Sequence, residues 1–225
     1  TDKIGTLLDV GAHWLHQGVL YASQGVEVTA ADLPSTFKVP EVQAIAKQHD
    51  IKLVTYTDLS QPAVLDELPE SHYELVLFAE IIEHITFNPV DMWKAIYRVL
   101  QPGGRILVTT PNYYHLKGRA WDVKRFFSRS GGGITPKEIL NIPTYGPHWK
   151  EFSAKELLQY FTLLSPDFEV TEIQHSTIPY SQPTKLREKL QRKVEDWFPL
   201  LRNNLFAEVT LVRKEVGIVP NPSWT

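Results

Sequence analysis

Cysteine is absent from this 225-residue chain, which excludes disulfides and thiolate metal sites and fits a reducing compartment. Also missing is any apolar run as long as a membrane span, and no secretory leader is visible; a cytoplasmic protein without a membrane partner is expected. Neither sign of charge dominates. With Lys+Arg 23 against Asp+Glu 26 and a net charge of -3, a nucleic-acid surface built on bulk charge is disfavoured, although a local basic patch is not. No internal repeat is found. The first residue is Thr1 and not methionine, so upstream residues are expected, as is a place in a longer polypeptide. The length suits one well-filled core, and a single domain over 1–225 is expected.

What is present is an alternation of strand and helix signals. Thr6–Val10 reads as a buried strand ending at Gly11, followed by a helical pattern from Trp14 to Ser23 that Gly25 breaks. Val26–Ala31 alternates as a second strand closed by Asp32-Leu33-Pro34. The separation of Gly11 from Asp32, roughly 20 residues, is that between a nucleotide-binding turn and the acidic residue that takes ribose hydroxyls. A helix over Pro40–His49, a strand over Ile51–Thr55 with Asp58 just beyond it, and a weak helix between Pro62 and Pro69 follow. Tyr73–Ala79 is an apolar fourth strand. Asn88-Pro89 opens a helix with Val90, Trp93, Ile96, Tyr97 and Leu100 on one side, stopped by Pro102-Gly-Gly104. Strands are expected over Arg105–Thr110, Phe168–Ile173 and Leu205–Val212. Ser153 and Glu156 form a capping-box pattern, and Thr184–Phe198 is a basic amphipathic stretch expected to pack as an ordinary helix. Such alternation, with chemistry at one sheet edge, gives a doubly wound α/β domain.

The chemistry concentrates just past the fourth strand, in Glu80-Ile-Ile-Glu83-His84. Turning helically from Glu80, these side chains stand at i, i+3 and i+4 and share a face. Two carboxylates and an imidazole there suit a general base, metal ligands, or the solvated first turn of a helix. Between Tyr113 and Lys150 the periodicity is poor, and aromatics, Lys117, Arg119, Lys124, Arg125, Arg129 and Gly131-Gly-Gly133 cluster. So long an irregular stretch reads as a substrate-loop insertion at about 113–150, whose basic residues hint at an anionic acceptor.

Leu8-Asp9-Val-Gly11, Asp32, Asp58, Phe78-Ala79-Glu80-Ile-Ile-Glu83-His84, Arg98-Val-Leu-Gln-Pro-Gly-Gly-Arg105 and Thr109-Thr-Pro-Asn112 stand in an order that resembles the class I S-adenosylmethionine-dependent methyltransferases. The resemblance runs from Leu7 to about Lys214 and is strongest to ubiquinone-pathway-type small-molecule O-methyltransferases and their sugar-modifying relatives. It implies a Rossmann-like sheet of seven strands, mostly parallel, with the last antiparallel beside the sixth. It implies S-adenosylmethionine as cofactor, with Asp9 and Gly11 along the methionine moiety. By the same resemblance Asp32 and Leu33 lie at the ribose, Asp58 and Leu59 at the adenine, and Ala79 and Glu80 at the strand edge. One departure stands out: the family's two further loop glycines are replaced by His13 and Leu15. His13 and Trp14 are therefore candidate cofactor contacts, an aromatic face being suited to a sulfonium. The family often places a helix before the first strand, and that cap is expected upstream of Thr1.

A second resemblance, to small-RNA 3′-end 2′-O-methyltransferases, rests on Glu80, Glu83 and His84 with a later histidine, His148 in Pro147-His-Trp-Lys-Glu-Phe152. It implies a divalent cation, with manganese, iron, zinc or magnesium as candidates, and catalysis through those four residues. Asn112, Tyr113, Tyr114 and Trp149 are the candidate acceptor contacts, while Trp121 is expected in the core. Three functions follow: O-methylation of a small sugar, polyketide or quinol-like acceptor, with or without metal; RNA 2′-O-methylation, disfavoured by charge; or a cofactor-binding domain without catalysis.

Overall fold

The computed structural model describes residues 4–61, 63–121, 148–177 and 185–221. Its strands are β1 (Thr6–Val10), β2 (Glu27–Asp32), β3 (Lys52–Thr55), β4 (Tyr73–Ala79), β5 (Leu100–Pro111), β6 (Phe168–Ser176) and β7 (Asn204–Leu211). They form a seven-stranded sheet in the order β3-β2-β1-β4-β5-β7-β6. The pairs from β3 to β5 are parallel, and β7 enters antiparallel between β5 and β6. Strand order reverses between β1 and β4, the place where open α/β sheets carry their ligands. Helices α1 (His16–Ala22), α2 (Pro34–Phe37), α3 (Pro40–Gln48), α4 (Ala63–Asp66), α5 (Val90–Val99), α6 (Ala154–Leu164) and α7 (Leu186–Trp197) connect them.

Alternation along the strands divides the core between the two faces of the sheet. Leu8, Val10, Val76, Phe78, Ile106 and Val108 face Trp93, Ile96, Leu157 and Phe161 of α5 and α6. Leu7, Val28, Leu75 and Leu77 face Leu15, Phe37, Val42 and Ala46 on the other side. Trp93 is wholly buried, and its indole N–H donates to the Tyr160 hydroxyl at 2.7 Å, so the ring packs without stranding its polar atom. Ser153 and Glu156 make the expected capping box, the Glu156 N–H donating to Ser153 Oγ at 3.3 Å and the Ser153 N–H to Glu156 Oε2 at 2.9 Å.

Several elements depart from the sequence reading. β5 begins at Leu100 and absorbs Pro102-Gly-Gly104 as an irregularity in its pairing with β4, with Gly103 at φ +79°. Pro34–Phe37 forms a short helix that was not anticipated. Trp121, expected in the core, is half exposed, its indole N–H donating to the Tyr114 carbonyl. Lys124, Arg125, Arg129, the Gly131–Gly133 run and the start of the stretch at Thr184 lie outside the described residues, as does the Arg119 side chain.

Asp167 ties the far end of the molecule together. Its wholly buried carboxylate accepts from the Tyr97 hydroxyl at 2.6 Å, from the backbone N–H groups of Glu215, Val216 and Gly217, and from Arg213 Nε at 3.1 Å. Burial by itself pushes the acid upward, but the Tyr97 hydroxyl and the three N–H donors outweigh it and hold the carboxyl well below its usual range. A depressed folded-state acid contributes stability above its unfolded pKa of about 3.9 and loses it as pH falls toward the folded value. Asp167→Ala should therefore cost about 2–4 kcal/mol at neutral pH. Urea titrations should show that difference shrinking between about pH 4 and pH 2, where the wild-type carboxylate protonates.

Candidate active site

At the carboxyl edge of β1 and β4 a cavity of ≈ 320 Å³ is lined by Gly11, His13, Asp32, Leu33, Tyr56, Leu59, Ala79, Glu80, Ile81, His84 and Ile85. The first loop shapes one wall. Gly11 leaves β1 at φ +73°, and a Cβ there would stand 2.2 Å from Ile81 Cδ1, so a side chain is excluded twice over. His13 and Leu15 occupy the left-handed region at φ 45° and 62°, the conformation that glycine would otherwise supply. Asp32 closes this wall. Its Oδ2 accepts from the His13 N–H at 2.6 Å, and its Oδ1 from the Leu33 N–H at 2.6 Å and the Thr36 hydroxyl at 3.0 Å. The carboxylate is therefore fixed in place before anything binds, with acceptor capacity left for a diol.

The turn after β4 is not the helical face expected. Glu80 sits at φ 56°, and a 3-10 turn covers Ile82–His84. Glu80 Oε1 accepts from the Thr109 hydroxyl and from Asn204 Nδ2, both at 2.8 Å. Glu83 Oε2 accepts from the Thr110 hydroxyl at 2.9 Å. Thr109 and Thr110 are consecutive on β5 and point to opposite faces of the sheet, so the two carboxylates are drawn apart. The reversed backbone at Glu80 removes the shared helical face expected of Glu80, Glu83 and His84.

A smaller cluster remains. Single ligand atoms of Glu83, His84 and His148 lie within 4.8 Å of one another. The Trp149 and Lys150 N–H groups both donate to the Glu83 carbonyl, at 2.8 and 3.4 Å, which brings the segment carrying His148 against the turn. The His84 and His148 rings meet edge to face with centroids 4.8 Å apart, and His148 Nδ1 stands 3.8 Å from Glu151 Oε1. Glu83 is fully buried and its Oε1 has no hydrogen-bond partner among the described residues. Burial pushes its carboxyl up to about 7; Glu80 and Glu151 act in the same sense, opposed by its own backbone N–H and the Thr110 hydroxyl. An orphaned buried carboxylate oxygen beside two imidazoles fits either a divalent cation with open coordination positions or a shared proton.

Other anticipated residues stand elsewhere. Asp9, Trp14 and Asp58 are not among the cavity's lining residues. Asp9 is buried, Trp14 is largely exposed, and Asp58 Oδ1 accepts from the Ser60 N–H at 2.7 Å. Asn112 is spent on the backbone: its Nδ2 donates to the Leu200 and Arg202 carbonyls at 2.7 and 2.8 Å, and its Oδ1 accepts from the Tyr114 N–H. Tyr113, half-buried, and Tyr114, exposed, pack edge to face with centroids 5.1 Å apart, and Trp149 is exposed beside the Glu83 turn. Tyr56, Ile81 and Ile85 line the cavity without having been singled out. For Tyr56 the available signal was its place directly after β3, where the chain reaches the ligand edge.

A model of the family described as "Methyltransferase domain" matches residues 8–108. A ubiquinone biosynthesis O-methyltransferase of Pseudomonas fluorescens is 26% identical over 191 residues, covering 73% of this chain and 74% of that protein. Among solved structures, an S-adenosylmethionine-dependent methyltransferase from Mesorhizobium loti aligns with TM-score 0.64 at 13% identity, covering 93% of each chain. The 1,6-didemethyltoxoflavin-N1-methyltransferase of Burkholderia thailandensis, solved with S-adenosylhomocysteine, aligns with TM-score 0.58 at 16% identity over 93% of this chain and 72% of that one.

Asp9 generates a pH prediction. Burial, and secondarily the Asp32 charge, push it up to about 7, and its Oδ2 has no hydrogen-bond partner among the described residues. Because the folded state holds this proton more tightly than the unfolded chain, stability falls as pH rises from about 4 to about 7 and then levels. Asp9→Asn should remove its own share of that slope, leaving the share that Glu83 contributes over the same range, and gain roughly 2–4 kcal/mol on the alkaline side. Urea midpoints measured across this range would read it.

Proposed function

We propose that this chain, a class I S-adenosylmethionine-dependent methyltransferase, methylates an oxygen of a small-molecule acceptor, with Glu83, His84 and His148 activating the acceptor hydroxyl. The observation that carries this reading is the orphaned Glu83 Oε1 beside two imidazoles, one of which, His84, lines the cavity. The relatives named as ubiquinone biosynthesis O-methyltransferases support an oxygen acceptor on a small molecule.

The cavity residues fit the cofactor. Gly11 leaves room where a Cβ would collide with Ile81, and Asp32, already anchored by two backbone N–H groups, presents its remaining lone pairs to the ribose diol. Leu33, Tyr56, Leu59 and Ile85 would give an apolar bed for adenine, and His13, which also lines the cavity, would offer the cofactor a polarizable ring. When bound, S-adenosylmethionine would supply an electrophilic methyl carbon to the acceptor oxygen, with its sulfur as a neutral thioether leaving group. The hydroxyl proton goes to His84, whose imidazole is within reach of Glu83 and His148. Much of the rate comes from holding donor and acceptor in line at the sheet edge. Glu80, locked by Thr109 and Asn204, fixes part of the cavity lining.

Glu83, His84 and His148 also make a set that would hold a divalent cation, which when bound would lower the pKa of the acceptor hydroxyl. Glu83→Gln and His148→Ala should lower turnover by about 10²–10⁴. Affinity for S-adenosylhomocysteine, measured by calorimetry, should hardly change, because neither residue lines the cavity. Asp32→Ala should do the reverse, weakening S-adenosylhomocysteine by about tenfold or more. Equal loss of cofactor affinity in all three variants would sink the assignment of roles. Assay after exhaustive chelation separates the two forms of activation. Loss restored by manganese places a cation on the cluster; undiminished turnover leaves proton transfer to His84.

A further inference from the structure

Helix α7 is built the wrong way round for a helix packed on a sheet. Leu186, Leu190 and Trp197 recur at i, i+4 and i+11, a single stripe, and they are 74%, 54% and 80% exposed. The opposite side carries Gln191 and Glu195, of which Glu195 is the buried residue of the helix and accepts from Gln191 Nε2 at 2.6 Å. The expectation of ordinary core packing is thus corrected. Charge is also segregated. Arg187, Lys189 and Lys193 are exposed, Arg187 and Lys189 flanking the apolar stripe and Lys193 set into it between Leu190 and Trp197, with Asp196 as the acid on that side, whereas Glu188 and Glu195 lie on the inward half. The apolar surface continues into Phe198 and Leu200, both more than half exposed. That continuation is fastened to the ligand edge. The carbonyl of Leu200 takes a hydrogen bond from Asn112 Nδ2, and the carbonyl of Leu201 one from the Leu116 N–H at 3.0 Å.

We propose that α7 and the turn after it form a docking surface for an anionic phospholipid bilayer. Leucine and tryptophan on the outward stripe enter the headgroup–acyl boundary, Arg187 and Lys189 beside them meet lipid phosphates, and Lys193 extends its ammonium from within the stripe to the same phosphates. A basic rim around apolar anchors is complementary to an anionic interface, and a second copy of the same face would meet it with like charge. Among the described residues no helix is long and apolar enough to cross a membrane. The proposal rests on this face alone and not on the identity of the methyl acceptor.

The test is sedimentation of the full chain with vesicles of phosphatidylcholine containing phosphatidylglycerol, and with vesicles of phosphatidylcholine alone. Binding is expected on the anionic vesicles and should weaken in high salt. Lys189→Glu/Lys193→Glu should weaken it by about tenfold or more. Leu190→Ser/Trp197→Ser should abolish it, with the thermal midpoint retained because these side chains are exposed. The proposal is overturned if the wild-type chain stays in solution, or if the variants pellet as it does. A chain that sedimentation velocity shows to be a dimer, dissociated by Leu190→Ser/Trp197→Ser, also overturns it, since the face would then be a contact between copies.

Discussion

Two adjacent threonines at the end of β5 set the geometry of everything at the ligand edge. A strand sends consecutive side chains to opposite faces, so the hydroxyls of Thr109 and Thr110 necessarily diverge. Each holds a carboxylate of the turn after β4, Glu80 on one face and Glu83 on the other. The turn satisfies both by reversing its backbone at Glu80, where φ is 56°. A helix continuing from β4 would carry the two carboxylates together on one side and leave one threonine unmatched. With Glu80 drawn away, Glu83 is left to meet His84 and His148. β7 reinforces the arrangement, since Asn204 donates to Glu80 Oε1 and accepts from the Thr110 N–H.

The same edge concentrates electrostatic cost. Asp9 at the end of β1 and Glu83 after β4 are both buried, both have an oxygen without a hydrogen-bond partner among the described residues, and both are pushed up to about 7. Asp167, equally buried at the other end of the sheet, moves in the opposite direction because it is saturated with donors. Burial is common to all three, so donor supply is what distinguishes them. A carboxylate surrounded by N–H and O–H groups is a structural fastener. One left short of donors holds its proton toward neutral pH, at a cost the rest of the fold must offset.

The strands were legible in the chain because alternation and apolar runs are local signals, whereas the antiparallel last strand was implied by the family resemblance. β4 was read at its observed bounds, and the Ser153–Glu156 capping box was visible as a four-residue pattern. The candidate site was legible as a set of residue types and not as a geometry. Spacing placed Glu80, Glu83 and His84 together only by assuming helical backbone. What overrides that assumption, the hydroxyls of Thr109 and Thr110, lies 29 and 27 residues away along the chain. Helix α7 makes the same point from another direction. Periodicity identifies which residues share a stripe, but the side that faces inward depends on distant partners, here Arg202, which donates to the Glu195 carbonyl and to the His175 carbonyl of β6.

The first loop shows why some of its glycines are dispensable. Gly11, His13 and Leu15 all take positive φ, so the loop's course is kept although two of the three carry side chains. The left-handed conformation costs a non-glycine residue about 1–2 kcal/mol. At Leu15 that cost is matched by complete burial of the side chain among Leu7 and Val28, worth about 1.5–3 kcal/mol. At His13 the compensating contact is the N–H donated to the fixed carboxylate of Asp32. Gly11 has no such route, because the space its Cβ would need is already filled by Ile81. Glycine is therefore retained at the position where sterics forbid a side chain, and replaced at the two where the backbone strain has something to offset it.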